Sequence, residues 1–265
     1  MLIVQISDPH LRPKDTLYKG KVDSNGPFAE TIRQINGLNP KPDLVLLSGD
    51  IADEGTPEEY ENARRLLAEL EAPLLVIPGN HDDRENFRAA FQDHTYLPRS
   101  GALNYAAGGF GPVRIVALDV TLPGLHHGAI TAESAAWLDA VLAEEPDRPT
   151  IIFMHQPPFA CGVPYLDDYW CKGGDVLAAV VARYPAVERV LCGHVHRLMQ
   201  VRFGGTLLCT APSTSTTIAL QLRPDAVGAS FVEPPAFLLH HWKPDTGIVT
   251  HLILVGTFSG PFWWA

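Results

Sequence analysis

The sequence predicts an α/β (α+β) fold, in which parallel strands are joined by helical crossovers and the chain closes with antiparallel hairpins. Three observations predict it. Short apolar runs of strand length recur from Leu2-Ile3-Val4-Gln5-Ile6 onward, each bounded by polar or turn residues. Between them lie segments with apolar residues at helical spacing or with helix-start signals. Past Cys192 the helical spacing stops, and turns rich in glycine or proline separate paired extended runs.

Residues 2–7 form the first strand. Residues 28–38 place Phe28, Ile32 and Ile35 on one helical face, and residues 44–48 form a second buried strand. Thr56-Pro57-Glu58-Glu59 opens a helix running to residue 71: Thr56 can cap, Pro57 fits the first position, and Glu59 stands where a capping box needs it. Residues 74–77 form the third strand, and this βαβαβ order calls for parallel strands with right-handed crossovers. A helix over 83–91, a strand over 113–118, and a helix over 131–143 carrying Trp137, Leu138 and Val141 come next. A strand over 150–154, a helix over 175–184 and a strand over 187–192 complete the pattern. Residues 200–203 and 206–210 flank Gly204-Gly205 as a hairpin, and 237–242 and 248–255 flank Pro244-Asp245-Thr246-Gly247 as another. Residues 213–235 are polar, then proline-rich, and read as a long loop or cap. With no repeat and no clear linker, residues 1–265 read as a single domain, with 213–265 as a cap or C-terminal extension on the core.

Composition narrows the function classes. The chain of 265 residues is 46% hydrophobic and 19% charged, which suits a folded protein with a substantial core. No apolar run approaches the roughly 20 residues of a membrane helix. The first basic residue is Arg12, after the first apolar run, so no secretory signal is expected and the cytoplasm is the expected location. A net charge of −10 and a pI near 5.5 argue against a nucleic-acid polymer as partner. A small anionic substrate is still allowed, because surface charge is screened over about 8 Å. Cys161, Cys171, Cys192 and Cys209 show no zinc-finger spacing and read as free thiols, with a Cys161–Cys171 bridge as the alternative.

The polar clusters fall at strand ends. Asp8-Pro9-His10 follows the first strand, Gly49-Asp50 the second, and Pro78-Gly79-Asn80-His81-Asp82 the third. His155 follows the strand over 150–154, and Gly193-His194-Val195-His196 follows the strand over 187–192. Alone, Asp8-x-His10 reads as a solvated loop, Gly49-Asp50 as a plain turn and His155 as a satisfied partner in the fold, while Asn80-His81 and His194-x-His196 read either as turns or as ligands. Together they matter, because carboxyl ends of parallel strands share one edge, where ligands collect. Two carboxylates, one amide and four imidazoles, without cysteine, suit zinc, iron, manganese or cobalt better than magnesium or calcium. Seven such side chains exceed what one catalytic ion with an open position uses. They suit two ions about 3.5–4 Å apart with a carboxylate between them.

On Asp8-x-His10, Gly49-Asp50, Gly79-Asn80-His81-Asp82, His155 and Gly193-His194-x-His196, the chain resembles the calcineurin-like metallophosphoesterase superfamily. Within it, the chain is most similar to bacterial glycerophosphodiesterases and class III cyclic-nucleotide phosphodiesterases. The resemblance implies a four-layer αββα sandwich with C-terminal β-hairpins and a binuclear centre. It assigns Asp8, His10 and His196 to one divalent ion, Asn80, His155 and His194 to a second, and Asp50 to both. It gives His81 to the substrate rather than to metal, so that His81, Asp50 and Asn80 form the catalytic set. The implied activity is hydrolysis of small phosphodiesters such as glycerophosphodiesters by a metal-bound hydroxide, with a protonated His81 donating to the leaving alkoxide. Because Asn80 adds no charge, the second ion is expected to bind less tightly.

Protein phosphatases of this superfamily carry an arginine in the motif G-D-x-x-D-R-G, and here Glu54 stands in its place. A carboxylate there disfavours a dianionic monoester, which points to a diesterase. A 3′,5′-cyclic nucleotide (cAMP) phosphodiesterase is the alternative; a phosphomonoesterase or a non-catalytic scaffold fits less well, since no ligand is missing. His126 and His127 read either as a polar loop or, for His126, as a substrate group over the site. The tail Gly260-Pro261-Phe262-Trp263-Trp264 reads either as packed on the chain's own core or as a contact in a homo-oligomer, which the resemblance favours.

Overall fold

The computed structural model describes residues 1–264. Its elements in order are β1 (Leu2–Ile6), α1 (Asn25–Asn36), β2 (Leu44–Ser48), α2 (Pro57–Leu67), β3 (Leu74–Ile77), α3 (Arg84–Ala90), β4 (Tyr105–Ala107), β5 (Arg114–Ala117) and α4 (Ala132–Glu144). Then come β6 (Thr150–Phe153), α5 (Pro164–Asp167), α6 (Gly174–Val181), β7 (Val187–Cys192), β8 (Met199–Phe203), β9 (Thr206–Thr210), β10 (Thr217–Ile218), β11 (Ser230–Phe231), β12 (Ala236–Lys243) and β13 (Gly247–Leu254).

Two sheets carry the architecture, in the orders β13-β12-β1-β2-β3 and β4-β5-β6-β7-β9-β8. β1, β2 and β3 run parallel, as do β5, β6, β7 and β9. Side-chain alternation sorts the second sheet. Ile115, Ala117, Ile151 and Phe153 join the core of the first sheet, whereas Val116, Ile152 and Val190 pack with Leu138 and Leu142 of α4 and Leu177 and Val181 of α6. Phe28, Ile32 and Ile35 of α1 and Tyr60 and Ala63 of α2 pack with the first sheet. The layering is αββα.

Several elements depart from the sequence reading. α1 begins at Asn25, a turn before Phe28, and α2 ends at Leu67 rather than residue 71. Beyond Leu67 the amides of Glu69 and Leu70 bond three residues back, to Leu66 and Leu67, which tightens the chain out of the α geometry. Asp83 caps α3 from outside, accepting from the amides of Glu85 and Asn86. The three-residue β4 and the two-residue β10 and β11 are too short to give a periodic signal. The last hairpin does more than extend the core: β12 pairs antiparallel with β1 and completes the first sheet. All four cysteines are free thiols, so the Cys161–Cys171 alternative is not realised. Packing of the tail on its own core is not realised either, because Trp263 and Trp264 are 87% and 99% exposed.

One buried polar chain ties the sheets together. Gln5 on β1 donates to Ser48 Oγ (2.9 Å) on β2 and to the carbonyl of Cys192 (2.9 Å) on β7, in the other sheet. Its Oε1 faces His240 Nε2 at 3.3 Å, and His240 Nδ1 lies 2.9 Å from Thr250 Oγ1. Burial, with Arg189 nearby, pushes the His240 imidazole down to about 3, so it folds neutral.

Because the unfolded chain takes up this proton near the ordinary value of about 6.5 and the folded chain does not, stability falls as pH drops from there toward 3. Between pH 6 and 4, the metal-free wild type should lose about 1.4 kcal/mol per pH unit more than His240→Gln in chemical denaturation. Parallel stability curves would contradict this.

Candidate metal centre and its cavity

The loops after β1, β2, β3, β6 and β7 leave both sheets at the same end and bond to one another. The amides of Asp8 and His10 donate to the carbonyls of Gly49 (3.1 Å) and Asp50 (3.0 Å), and that of Gly193 to the carbonyl of His155 (2.9 Å). The His194 amide donates to both Asp8 oxygens, each at 3.0 Å. Asp8, His10, Asp50, His194 and His196 all adopt left-handed backbone, with φ between 45° and 72°. Asp and His tolerate this region better than most residues, but it still costs about 1–3 kcal/mol each and is characteristic of functional sites. Two glycines permit the close approach: a Cβ on Gly79 would run into the Asp50 carboxylate, and one on Gly193 into Ser7 and Asp8.

The side chains converge in three groups, of which one, His10 with Asp53 and His81, shares His10 with another. Ligand atoms of Asp8, His10 and His196 lie within 4.8 Å of one another, and so do those of Asp50, His155 and His194. Asp50 Oδ2 is 3.2 Å from His155 Nε2 and 3.7 Å from His10 Nε2, so one carboxylate oxygen faces both groups. Two rings are oriented from behind. His155 Nδ1 donates to the Ser48 carbonyl (2.7 Å) and His196 Nδ1 to that of Thr216 (2.8 Å), which leaves both Nε2 atoms directed into the site.

The donor set fits divalent ions on its own chemistry. His194 Nε2 and Asn80 Oδ1 are buried without a hydrogen-bond partner, an expensive state for polar atoms unless a cation completes it. Burial raises the carboxyl groups of Asp8 and Asp50, but the neighbouring imidazoles outweigh it and hold both below the usual range. Burial opposes protonation of His155 as well, yet Asp50 and Asp8 carry it up to about 9. His194, buried beside His155, falls to about 3.

His81 stands beside these groups. Its amide donates to Asp50 Oδ1 (2.9 Å) and its Nδ1 to the Asp53 carbonyl (2.7 Å). Burial lowers the affinity of His81 for its proton, but Asp50 and Asp53 outweigh it and the net shift is upward. His126 lies over Asn80, with its Nδ1 3.2 Å from Asn80 Nδ2; that contact leaves Asn80 Oδ1 free on the other side. His127 does not line the cavity.

Sequence reading missed the supports. Asp53 Oδ1 is 3.5 Å from the Nδ1 of both His10 and His81. Asp82 accepts from the amides of Ile51, Ala52 and Gly79 and from Tyr60 Oη, which pins the turn that presents Asn80 and His81. Asp82 lies in the quoted motif, and Asp53 three residues after Asp50, so the positions were visible but not their roles. Contrary to the sequence expectation, Glu54 does not face a bound phosphate: it pairs with Arg12 at 2.9 Å, is largely exposed and does not line the cavity. What bears on a monoester there is the missing arginine, not repulsion by this carboxylate.

Above the candidate metal-ligating groups lies a cavity of about 600 Å³, a size suited to a small-molecule substrate. Tyr18, Tyr165, Tyr169 and Phe231 line its walls together with Lys19 and Lys21.

A two-sheet sandwich with paired ligand groups at its loop end defines a dinuclear phosphoesterase architecture. The chain belongs to the calcineurin-like phosphoesterase family, whose profile matches residues 1–198. It is 37% identical over 263 residues to a protein of Arcobacter nitrofigilis named "Probable glycerophosphodiester phosphodiesterase", covering 99% of this chain and 96% of that one. It is 36% identical to a glycerophosphodiester phosphodiesterase of Enterobacter lignolyticus, covering 99% and 94%. It is 31% identical to a cAMP/cGMP dual specificity phosphodiesterase of Mycobacterium tuberculosis, covering 98% and 83%. In fold it matches a dimetal phosphatase from Danio rerio with a TM-score of 0.62 at 14% identity, over 97% of this chain and 99% of that one.

Calorimetric titration of the metal-free chain with manganese or zinc should show two steps, the weaker one lost in Asn80→Ala. Two equal, tight sites in the wild type would contradict the inequality between a site completed by an amide and one completed by a carboxylate.

Proposed function

We propose that the chain is a metal-dependent hydrolase of small phosphodiesters, glycerophosphodiesters first among them. The observation that carries this reading is Asp50, shared between two buried ligand groups on the floor of a cavity large enough for such a substrate. Full-length similarity to two proteins named as glycerophosphodiester phosphodiesterases supports the substrate class. In this reading Asp8, His10 and His196 hold one ion, Asn80, His155 and His194 the other, and Asp50 both. When bound, such a pair supplies Lewis acidity toward phosphoryl oxygens and lowers the pKa of water. His81 carries the proton for the departing alcohol: its Nδ1 is engaged by the Asp53 carbonyl, which leaves Nε2 as the donor. Asn80 and His81 meet the substrate from one turn, and His126 keeps the Asn80 amide oriented.

Hydrolysis of 3′,5′-cyclic nucleotides is the second reading. The similarity to a cAMP/cGMP phosphodiesterase favours it, as do Tyr165 and Tyr169 in the cavity wall, on which a base could stack. Turnover of bis(p-nitrophenyl) phosphate with manganese or zinc, abolished by chelator, tests the enzyme; absence of turnover with every metal would overturn it. Glycerophosphodiesters and cyclic AMP, assayed on one preparation, decide between the substrates.

We further read the chain as one domain, cytoplasmic and homo-oligomeric, with neither a membrane nor a nucleic-acid polymer as partner. Four free thiols suit a reducing compartment. Among the described residues, no helix is long and apolar enough to cross a membrane. Phe258, Phe262, Trp263 and Trp264 are exposed, as are Val249, Leu252 and Leu254 of edge strand β13, which suits a contact between subunits.

His81→Ala should retain metal binding yet slow esters of alkyl alcohols by about 10²–10⁴, and p-nitrophenyl esters far less. Equal slowing of both would remove its role as proton donor. Deleting residues 262–265 should lower the mass measured by light scattering; an unchanged mass would show that the tail makes no essential contact.

A further inference from the structure

Lys19 and Lys21 enter neither the metal centre nor the proton-transfer scheme. They sit on a tight turn in which Tyr18 N donates to the Val22 carbonyl (2.8 Å), and the amides of Lys21 (3.0 Å) and Val22 (3.1 Å) return to the Tyr18 carbonyl. The two residues at the bend, Lys19 and Gly20, both have positive φ, 48° and 66°. Two-residue turns of this hand favour asparagine or glycine at their first position. A lysine there is strained, and turn chemistry does not explain it. Of the seven non-glycine residues with positive φ among those described, five are metal-ligand candidates, and the other two, Asp15 and Lys19, lie in the segment that follows His10.

The turn is fastened to the metal centre. The Tyr18 ring stacks on His10 with centroids 5.0 Å apart and planes 30° apart, and Lys19 Nζ lies over the Tyr18 ring at 5.2 Å. Lys19 and Lys21 line the same cavity as Asp50, Asn80 and His81. Among the described residues neither lysine makes an ion pair, whereas Lys41 is paired with Glu71. The carboxylate among the cavity-lining residues is Asp50, held between imidazoles at the floor. The aromatic wall of Tyr165, Tyr169 and Phe231 could on its own receive a quaternary ammonium. Two unpaired ammonium groups at the lip oppose one and attract a negative group.

We infer that the cavity selects phosphodiesters whose alcohol arm carries a second anionic group, a carboxylate or a phosphate, and that Lys19 and Lys21 recognise that group. This rests on the phosphodiesterase reading above. The phosphodiester is then held at the floor and the added charge at the lip, with the arm along the aromatic wall.

The test uses the full chain loaded with manganese and a set of p-nitrophenyl alkyl phosphodiesters that share one leaving group. Their arms end in methyl, carboxylate, phosphate or trimethylammonium. At low salt, kcat/KM for at least one anionic arm should exceed that for methyl by about tenfold, and trimethylammonium should fall below methyl. Whichever anionic arm shows the larger ratio identifies the source of the charge. The ratio should shrink as salt is raised, collapse to about one in K19Q/K21Q and persist in K19R/K21R. Turnover of all four esters without preference for an anion, or a preference unchanged in K19Q/K21Q, would overturn the inference alone. Failure to turn over any ester, bis(p-nitrophenyl) phosphate included, would overturn the phosphodiesterase reading and this inference with it.

Discussion

Two carboxylates, Asp8 and Asp50, are buried among four imidazoles at one end of the sandwich, and the rest of the site is arranged around that concentration of charge. Buried carboxylates are tolerated only where hydrogen bonds and opposite charge replace water. Here the backbone amides of His194 and His81 supply the hydrogen bonds, and His155, drawn upward by Asp50 and Asp8, supplies opposite charge. Asn80 Oδ1 and His194 Nε2 are still without partners, which makes divalent ions the natural completion of the cluster. Contacts of Nδ1 with the Ser48 and Thr216 carbonyls show that the outer layer holds the His155 and His196 rings with Nε2 facing inward.

The fold supplies the platform for this. Parallel strands in both sheets deliver Asp8, Asp50, Asn80, His155 and His194 to one end, and Gln5 bonds the sheets together just behind them. The strained left-handed residues stand in the loops rather than in the strands, where the regular ladder would not admit them. Arg12 extends the support outward by binding Asp53, Glu54 and Glu59, and Asp53 in turn steadies His10 and His81. Function and stability therefore meet in the same loops.

Much of this was legible in the sequence because strand ends are punctuated by residue type. Asp8, His10, Asp50, Asn80, His155, His194 and His196 each follow an apolar run, and the αββα layering follows from the family resemblance those residues carry. Other features depend on contacts between distant segments, which spacing does not encode. The pairing of β12 with β1 joins residues more than 230 positions apart, as in the partnership of Val4 with Leu239. The turn-pinning role of Asp82 and the support from Asp53 appear only once loops from different strands are adjacent. Glu54 misled because a motif position fixes sequence order but not side-chain direction, and Arg12 draws it away from the cavity. The tail left two readings open because apolar character alone does not identify what covers it, and only packing on its own core is excluded by its exposure.

The position of Asp50 between the two ligand groups makes a specific magnetic prediction. Low-temperature electron paramagnetic resonance of the chain loaded with two equivalents of manganese(II) should show an exchange-coupled dinuclear spectrum, and Asp50→Ala should lose it. A spectrum that is the sum of two isolated manganese ions in the wild type would contradict a shared carboxylate, and with it the dinuclear centre.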